Sequence, residues 1–148
     1  MPDPSARPTT LYPPLRPLLH PLHAILLAFP IALFSGALAS DITYLNSAEI
    51  QWTNFSQWLL AGGCLMGGLA LLWAIVLAAR GGGGRALLYL LLLAAMFIAG
   101  VVNSFHHSRD GWSSVETTGV VLSLVSMVLA LAAGWVGYSS LRAEGEAR

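Results

Sequence analysis

Hydrophobic residues in this chain come in long uninterrupted runs, without the alternation of a half-buried strand, and the charges fall between the runs. Residues 17–40, 50–79, 86–108 and 117–141 contain no Asp, Glu, Lys or Arg, giving runs of 24, 30, 23 and 25 residues. A helix advances ~1.5 Å per residue and needs about 20 mostly apolar residues to cross a ~30 Å hydrocarbon core, where every backbone polar group must be bonded internally. Four runs therefore predict four transmembrane helices, near Leu22–Ser40, Phe55–Ala79, Ala86–Phe105 and Val115–Tyr138. The lack of a two-residue period argues against a transmembrane β-barrel. The expected fold class is an all-α membrane protein, a four-helix transmembrane bundle with a disordered Pro-rich N-terminal arm.

Composition agrees with this reading. The chain has 148 residues, 56% hydrophobic and 9% charged, with mean hydropathy +0.70; a soluble domain carries about 25% charged residues, so an ordinary water-soluble fold is excluded. Seven arginines, no lysine, three Asp and four Glu give net charge 0, too little positive charge to hold nucleic acid. The single Cys64 permits no intrachain disulfide. Pro2, Pro4, Pro8, Pro13, Pro14 and Pro17 remove backbone donors and fix φ, so residues 1–19 are expected to be an extended cytoplasmic arm. Residues 20–140 form the expected transmembrane domain and 141–148 a short cytoplasmic tail. Ala37-Leu38-Ala39 has the small residues of a signal-cleavage site. The polar lead of some twenty residues and the spanning length favour a retained helix instead.

An even number of crossings puts both termini on one side. Arg7, Arg16, Arg80, Arg85, Arg142 and Arg148 then share a face, with only Arg109 opposite, and the positive-inside bias makes that face cytoplasmic. The expected location is the bacterial inner membrane. The outer face receives Asp41, Glu49, Asp110 and Glu116. Tyr44, Trp52, Trp58 and Trp112 would mark the outer interface, and Trp73, Tyr89, Trp135 and Tyr138 the inner one. Arg80-Gly81-Gly82-Gly83-Gly84-Arg85 reads as a flexible linker, since it lacks the strand context and lysine of a phosphate-binding loop.

Lipid is as apolar as leucine, so the helices need close backbone approach to associate. Small residues four apart supply it: Gly36 and Ser40, Gly63 and Gly67, Ala95 and Ala99, Ala130 and Gly134, Ala133 and Gly137. Homodimerisation stays open on the same grounds.

The candidate chemistry lies near helix ends, where polar groups at membrane depth call for a functional hypothesis. His20 and His23, three apart with Pro21 between, share a helix face at the inner end, either as a site or as groups satisfying the helix start. At the outer end Asn103, His106, His107, Arg109 and Asp110 cluster, and Asp41 emerges from the first span at the same level. A carboxylate beside an imidazole orients a proton carrier or a metal ligand; the competing arrangement pairs Asp41 or Asp110 with Arg109. A haem held by two histidines of one chain is disfavoured, because His23 and His107 sit nearly ~30 Å apart while axial nitrogens lie only ~4 Å apart across an iron. Cys64, Met66, Met96 and Met127 at mid-depth read as packing filler in preference to a copper path. No activated nucleophile stands beside a base, so the chain is not expected to be an enzyme on its own.

These residues resemble a known family. His20-Pro21-Leu22-His23, then Phe29-Pro30-Ile31-Ala32-Leu33 and Asp41, looks like the opening of bacterial membrane proteins grouped as domain of unknown function number 2231. The likeness continues through Trp52, Ala61-Gly62-Gly63, Asn103 to Trp112, Thr118-Gly119 and Leu122-Ser123. His107 aligns with the family's pattern histidine, His106 is additional, and Ala28 stands where many relatives carry a histidine. The resemblance implies the fold and membrane placement, and, through relatives encoded beside periplasmic quinoprotein dehydrogenases or cytochromes, a redox setting.

The leading expectation is a redox-linked accessory subunit. His23, His107, Asp41, Asn103, Asp110 and His20 are the candidate site residues, and a quinone headgroup, haem b or a metal the candidate ligand, serving a periplasmic quinoprotein dehydrogenase or cytochrome. The alternative is a cofactor-free structural or assembly protein of the inner membrane. Transport ranks last, because only Ser35, Ser123 and Ser126 offer polar groups near mid-bilayer.

Overall fold

The computed structural model describes residues 19–109 and 115–145, with side chains to Ser139. Four helices follow one another: α1 Pro21–Ser47, α2 Ile50–Ala79, α3 Gly83–His107 and α4 Thr117–Gly145. All four are long and apolar enough to cross a membrane, α4 over Thr117–Ser139. Each packs against its chain neighbours and α4 closes on α1, so the bundle is a ring of antiparallel helices. The outward faces carry Leu, Ile, Val, Phe and Trp, with Trp58 and Trp135 about four-fifths exposed, as expected where the surroundings are lipid. The predicted arm to residue 18 lies outside the described residues.

The helices outrun the apolar runs that predicted them. α1 continues from Ser40 to Ser47 and takes in Asp41. Its polar residues bond back onto their own helix, Thr43 to the Ala39 carbonyl, Asn46 to Ile42 and Ser47 to Thr43. α1 stops at Ala48, a non-glycine residue in the left-handed region at φ 56°. At the other end of the molecule the glycine linker is shorter than expected, because α3 already begins at Gly83. Gly81 makes the turn at φ 83°, which a residue with a Cβ adopts only at a cost.

The core forms around Phe34, fully buried at the centre of the bundle. A Cβ on Gly63 of α2 would stand 2.5 Å from the Phe34 ring, and one on Gly100 of α3 would stand 2.8 Å from it. The two glycines therefore form the socket of the ring. A Cβ on Gly67 would meet Met96 at 2.9 Å, and one on Gly134 would meet Ile31 at 2.7 Å. Small residues thus set the helix approach at the α2 and α4 positions predicted for it. Span three differs: Ala95 is exposed and Ala99 only half-buried, and Gly100 makes the close contact instead.

Candidate functional site

Two polar layers occupy opposite ends of the bundle. At the end away from the termini, Asp41 of α1 and His107 of α3 are fully buried, and His107 Nε2 lies 2.9 Å from Asp41 Oδ1. Ser123 of α4 donates to Asp41 Oδ2. Asn103, one turn before His107, donates from Nδ2 to Ser123 Oγ at 2.8 Å, and its own carbonyl lies 3.0 Å from His107 Nδ1. The bonds close a ring from Asn103 through Ser123, Asp41 and His107 back to Asn103. From α2, Gln57 donates to the His107 carbonyl and Ser56 to the Ala37 carbonyl. Every helix contributes to this layer.

The ring fixes most of its protons. A carbonyl only accepts, so His107 Nδ1 must carry a hydrogen and donate to Asn103. Ser123 spends its hydrogen on Asp41. One proton then remains between Asp41 and His107 Nε2, sitting on the imidazole as an ion pair or on the carboxyl as a neutral pair. Neither nitrogen of His107 offers a lone pair to an iron or another metal. Among the described residues no group of three His, Cys, Asp or Glu could hold a metal ion. Three buried polar atoms at this end have no partner among the described residues: Thr53 Oγ1, Asn103 Oδ1 and His106 Nε2.

At the terminal end His23 is fully buried, its Nε2 3.1 Å from Tyr89 Oη and its ring stacked on Trp73 at 5.3 Å. His23 Nδ1 has no hydrogen-bond partner among the described residues. His20 is exposed and stacks on the same indole at 5.7 Å. Its Nδ1 accepts from the Leu22 N–H at 3.3 Å, capping α1. Tyr138 donates to the Ala24 carbonyl at 2.7 Å. Arg85 donates to the Val136 carbonyl and Ser139.

Of the six residues read as candidates, Asp41, Asn103 and His107 meet in one layer, and His20 and His23 meet at the other end. Asp110 lies outside the described residues. Asp41 pairs with His107 and not with Arg109. Eighteen residues of α1 separate His23 from Asp41, about 27 Å of helix, so the two histidine groups are far apart. The sequence places Ser123 with Ser35 and Ser126 as polar groups near mid-bilayer, whereas in the structure it joins the end layer and bonds Asp41. Tyr89 was read as an interface marker, yet it is fully buried and bonds His23.

The DUF2231 family of predicted membrane proteins matches residues 19–143. The chain belongs to this family. The match runs from Leu19, buried beside α1, through all four spans of this DUF2231 protein and takes in both polar layers. No curated protein and no solved structure matches it.

Proposed function

We propose that this DUF2231 protein is a redox-linked accessory subunit of the bacterial inner membrane, with both termini cytoplasmic, and that its Asp41–His107 pair is a proton-exchanging site facing a periplasmic partner. The observation that carries the reading is a carboxylate and an imidazole, fully buried in a membrane-spanning bundle, with Asp41 Oδ1 2.9 Å from His107 Nε2. Such pairs are costly in lipid and mark functional sites by default. Among the candidate ligands, a quinone headgroup suits this donor set best. It needs hydrogen-bonding groups and a proton, whereas haem and metal ions need lone pairs that His107 has already spent. Thr53 Oγ1 and His106 Nε2 are left to donate to a quinone carbonyl and Asn103 Oδ1 to accept from a quinol hydroxyl, and a buried polar atom without a partner costs about 1–3 kcal/mol. A dehydrogenase or cytochrome on the outer face would be the electron partner, in keeping with the six arginines at the opposite end.

The test is organic-solvent extraction and an absorption spectrum of the full chain purified in mild detergent. Bound quinone in the wild type, lost in Asn103→Ala and Asp41→Asn, supports the reading. A protein with no extractable quinone and no visible chromophore overturns it.

A cofactor-free assembly role is the second reading, favoured by the closure of the ring within the protein itself, which ties α1, α3 and α4 together. It is supported if His107→Ala lowers the melting temperature while the activity of the partner oxidase or dehydrogenase in membranes is unchanged.

A further inference from the structure

A groove of about 410 Å³ runs along the lipid side of α2, lined by Leu69, Leu72, Trp73 and Val76 and ending at Arg80. Its walls are aliphatic for two turns and its end is cationic. Arg80 is exposed, and the carboxylates whose side chains are described, Asp41, Glu49 and Glu116, all lie at the other end of the bundle. Trp73 forms the inner wall and is held in place from behind by the rings of His20 and His23. His20 accepts the Leu22 N–H at Nδ1, so in the neutral ring the hydrogen sits on Nε2 and makes it a donor. Arg80 lies seven residues beyond Trp73, about 10 Å nearer the membrane surface. The order from depth outward is thus acyl-compatible surface, an indole with a neighbouring N–H donor, then a guanidinium. A phospholipid presents the same order, from hydrocarbon tail through ester to phosphate.

From this arrangement we infer that the groove is a binding site for one anionic phospholipid, with its acyl chain along Leu69 and Leu72, its ester region beside Trp73 and Val76, and its phosphate on Arg80. The guanidinium can donate to two phosphate oxygens at once, and the indole suits the level of the ester groups. The site is independent of the Asp41 layer, which lies at the opposite end.

Native mass spectrometry of the full chain, titrated with phosphatidylglycerol or phosphatidylcholine of identical acyl chains, tests the assignment. One arginine near a membrane surface contributes about 1 kcal/mol toward an anionic lipid, so a preference of about fivefold for the first phosphatidylglycerol is expected. Arg80→Gln removes the preference, while Arg80→Lys and Arg109→Gln keep most of it, helix content being checked by circular dichroism for each. Equal retention of both lipids by the wild type, or a preference unchanged in Arg80→Gln, overturns the proposal. Inorganic phosphate that competes as well as the lipid would make this an anion site only and also overturns it. On the wild type, phosphatidylglycerol with a diazirine in its tail should crosslink within residues 69–80; adducts spread evenly over all four helices would count against a built site.

Discussion

Asp41 makes two side-chain hydrogen bonds, to His107 and Ser123, in a place water does not reach. Removing one partner of a buried pair is more damaging than replacing both, because the survivor keeps its desolvation cost. His107→Ala should therefore destabilise the bundle by about 3–5 kcal/mol, read as loss of helicity in a detergent–denaturant titration. Asp41→Asn should cost far less, since an amide still accepts from Ser123 and donates to His107 Nε2. If the asparagine variant falls as far as the alanine one, the remaining proton belongs to the imidazole and the pair is ionic. At the other end Tyr89→Phe takes the only hydrogen-bond partner from His23 Nε2, whose Nδ1 already has none; about 1–3 kcal/mol should be lost. The sequence allowed Asp41 and His107 to be placed at one depth by counting residues from span ends. It did not reveal Thr53, nor the partners of Ser123 and Tyr89, because what a serine, a threonine or a tyrosine on a buried stripe bonds is not known until its facing helix is.

A helix and a membrane span end for different reasons, and this difference explains where the element bounds moved. Charge at Asp41 and Glu49 marks the edge of the apolar runs, but a helix needs only its own hydrogen bonds to continue, so α1 runs on to Ser47 and α2 starts at Ile50. The tight α1–α2 connection places Ala48 at φ 56°, a conformation that glycine adopts freely and that costs another residue about 1–2 kcal/mol. Ala48→Gly should raise stability by a few tenths to 1 kcal/mol, visible as a higher denaturant midpoint. The existence and order of the spans were legible because twenty apolar residues are a signal one helix carries alone. Which small residues meet was less legible, since spacing four recurs on every span and only packing selects Gly100 over Ala95. Gly63→Ala tests the selected socket: its Cβ would lie 2.5 Å from Phe34, and overpacking of this kind costs about 1–3 kcal/mol. Combining it with Phe34→Leu should recover part of that loss, whereas additive losses would mean the ring is not what the glycine accommodates.

Across the whole molecule, the two polar layers are separated by a core that offers protons no route. Between the His23–Tyr89 layer and the Asp41–His107 layer the fully buried side chains include Leu27, Pro30, Phe34, Ala37, Leu60, Ala70, Leu93, Met96, Ala130 and Ala133, with Ser126 as a polar one. The serines near this stretch spend their hydrogens on their own helix, Ser35 on the Ile31 carbonyl and Ser126 on Leu122. A proton relay needs a chain of groups or waters within hydrogen-bond reach, and a dense apolar core contains neither. From Leu27 to Ala37 this seal is ten residues of α1, about 15 Å thick. A proton exchanged by either layer would therefore come from that layer's own membrane face and would not pass to the other. In proteoliposomes loaded with a pH-sensitive dye, an imposed potassium diffusion potential should drive no more proton entry than in protein-free vesicles. Replacing Phe34 by Ala opens space between Gly63 and Gly100 at the centre of the seal, and is the variant most able to admit water and leak. Proton flux through the wild type, abolished by Asp41→Asn, would mean that the two layers are connected and that the apolar centre opens during function.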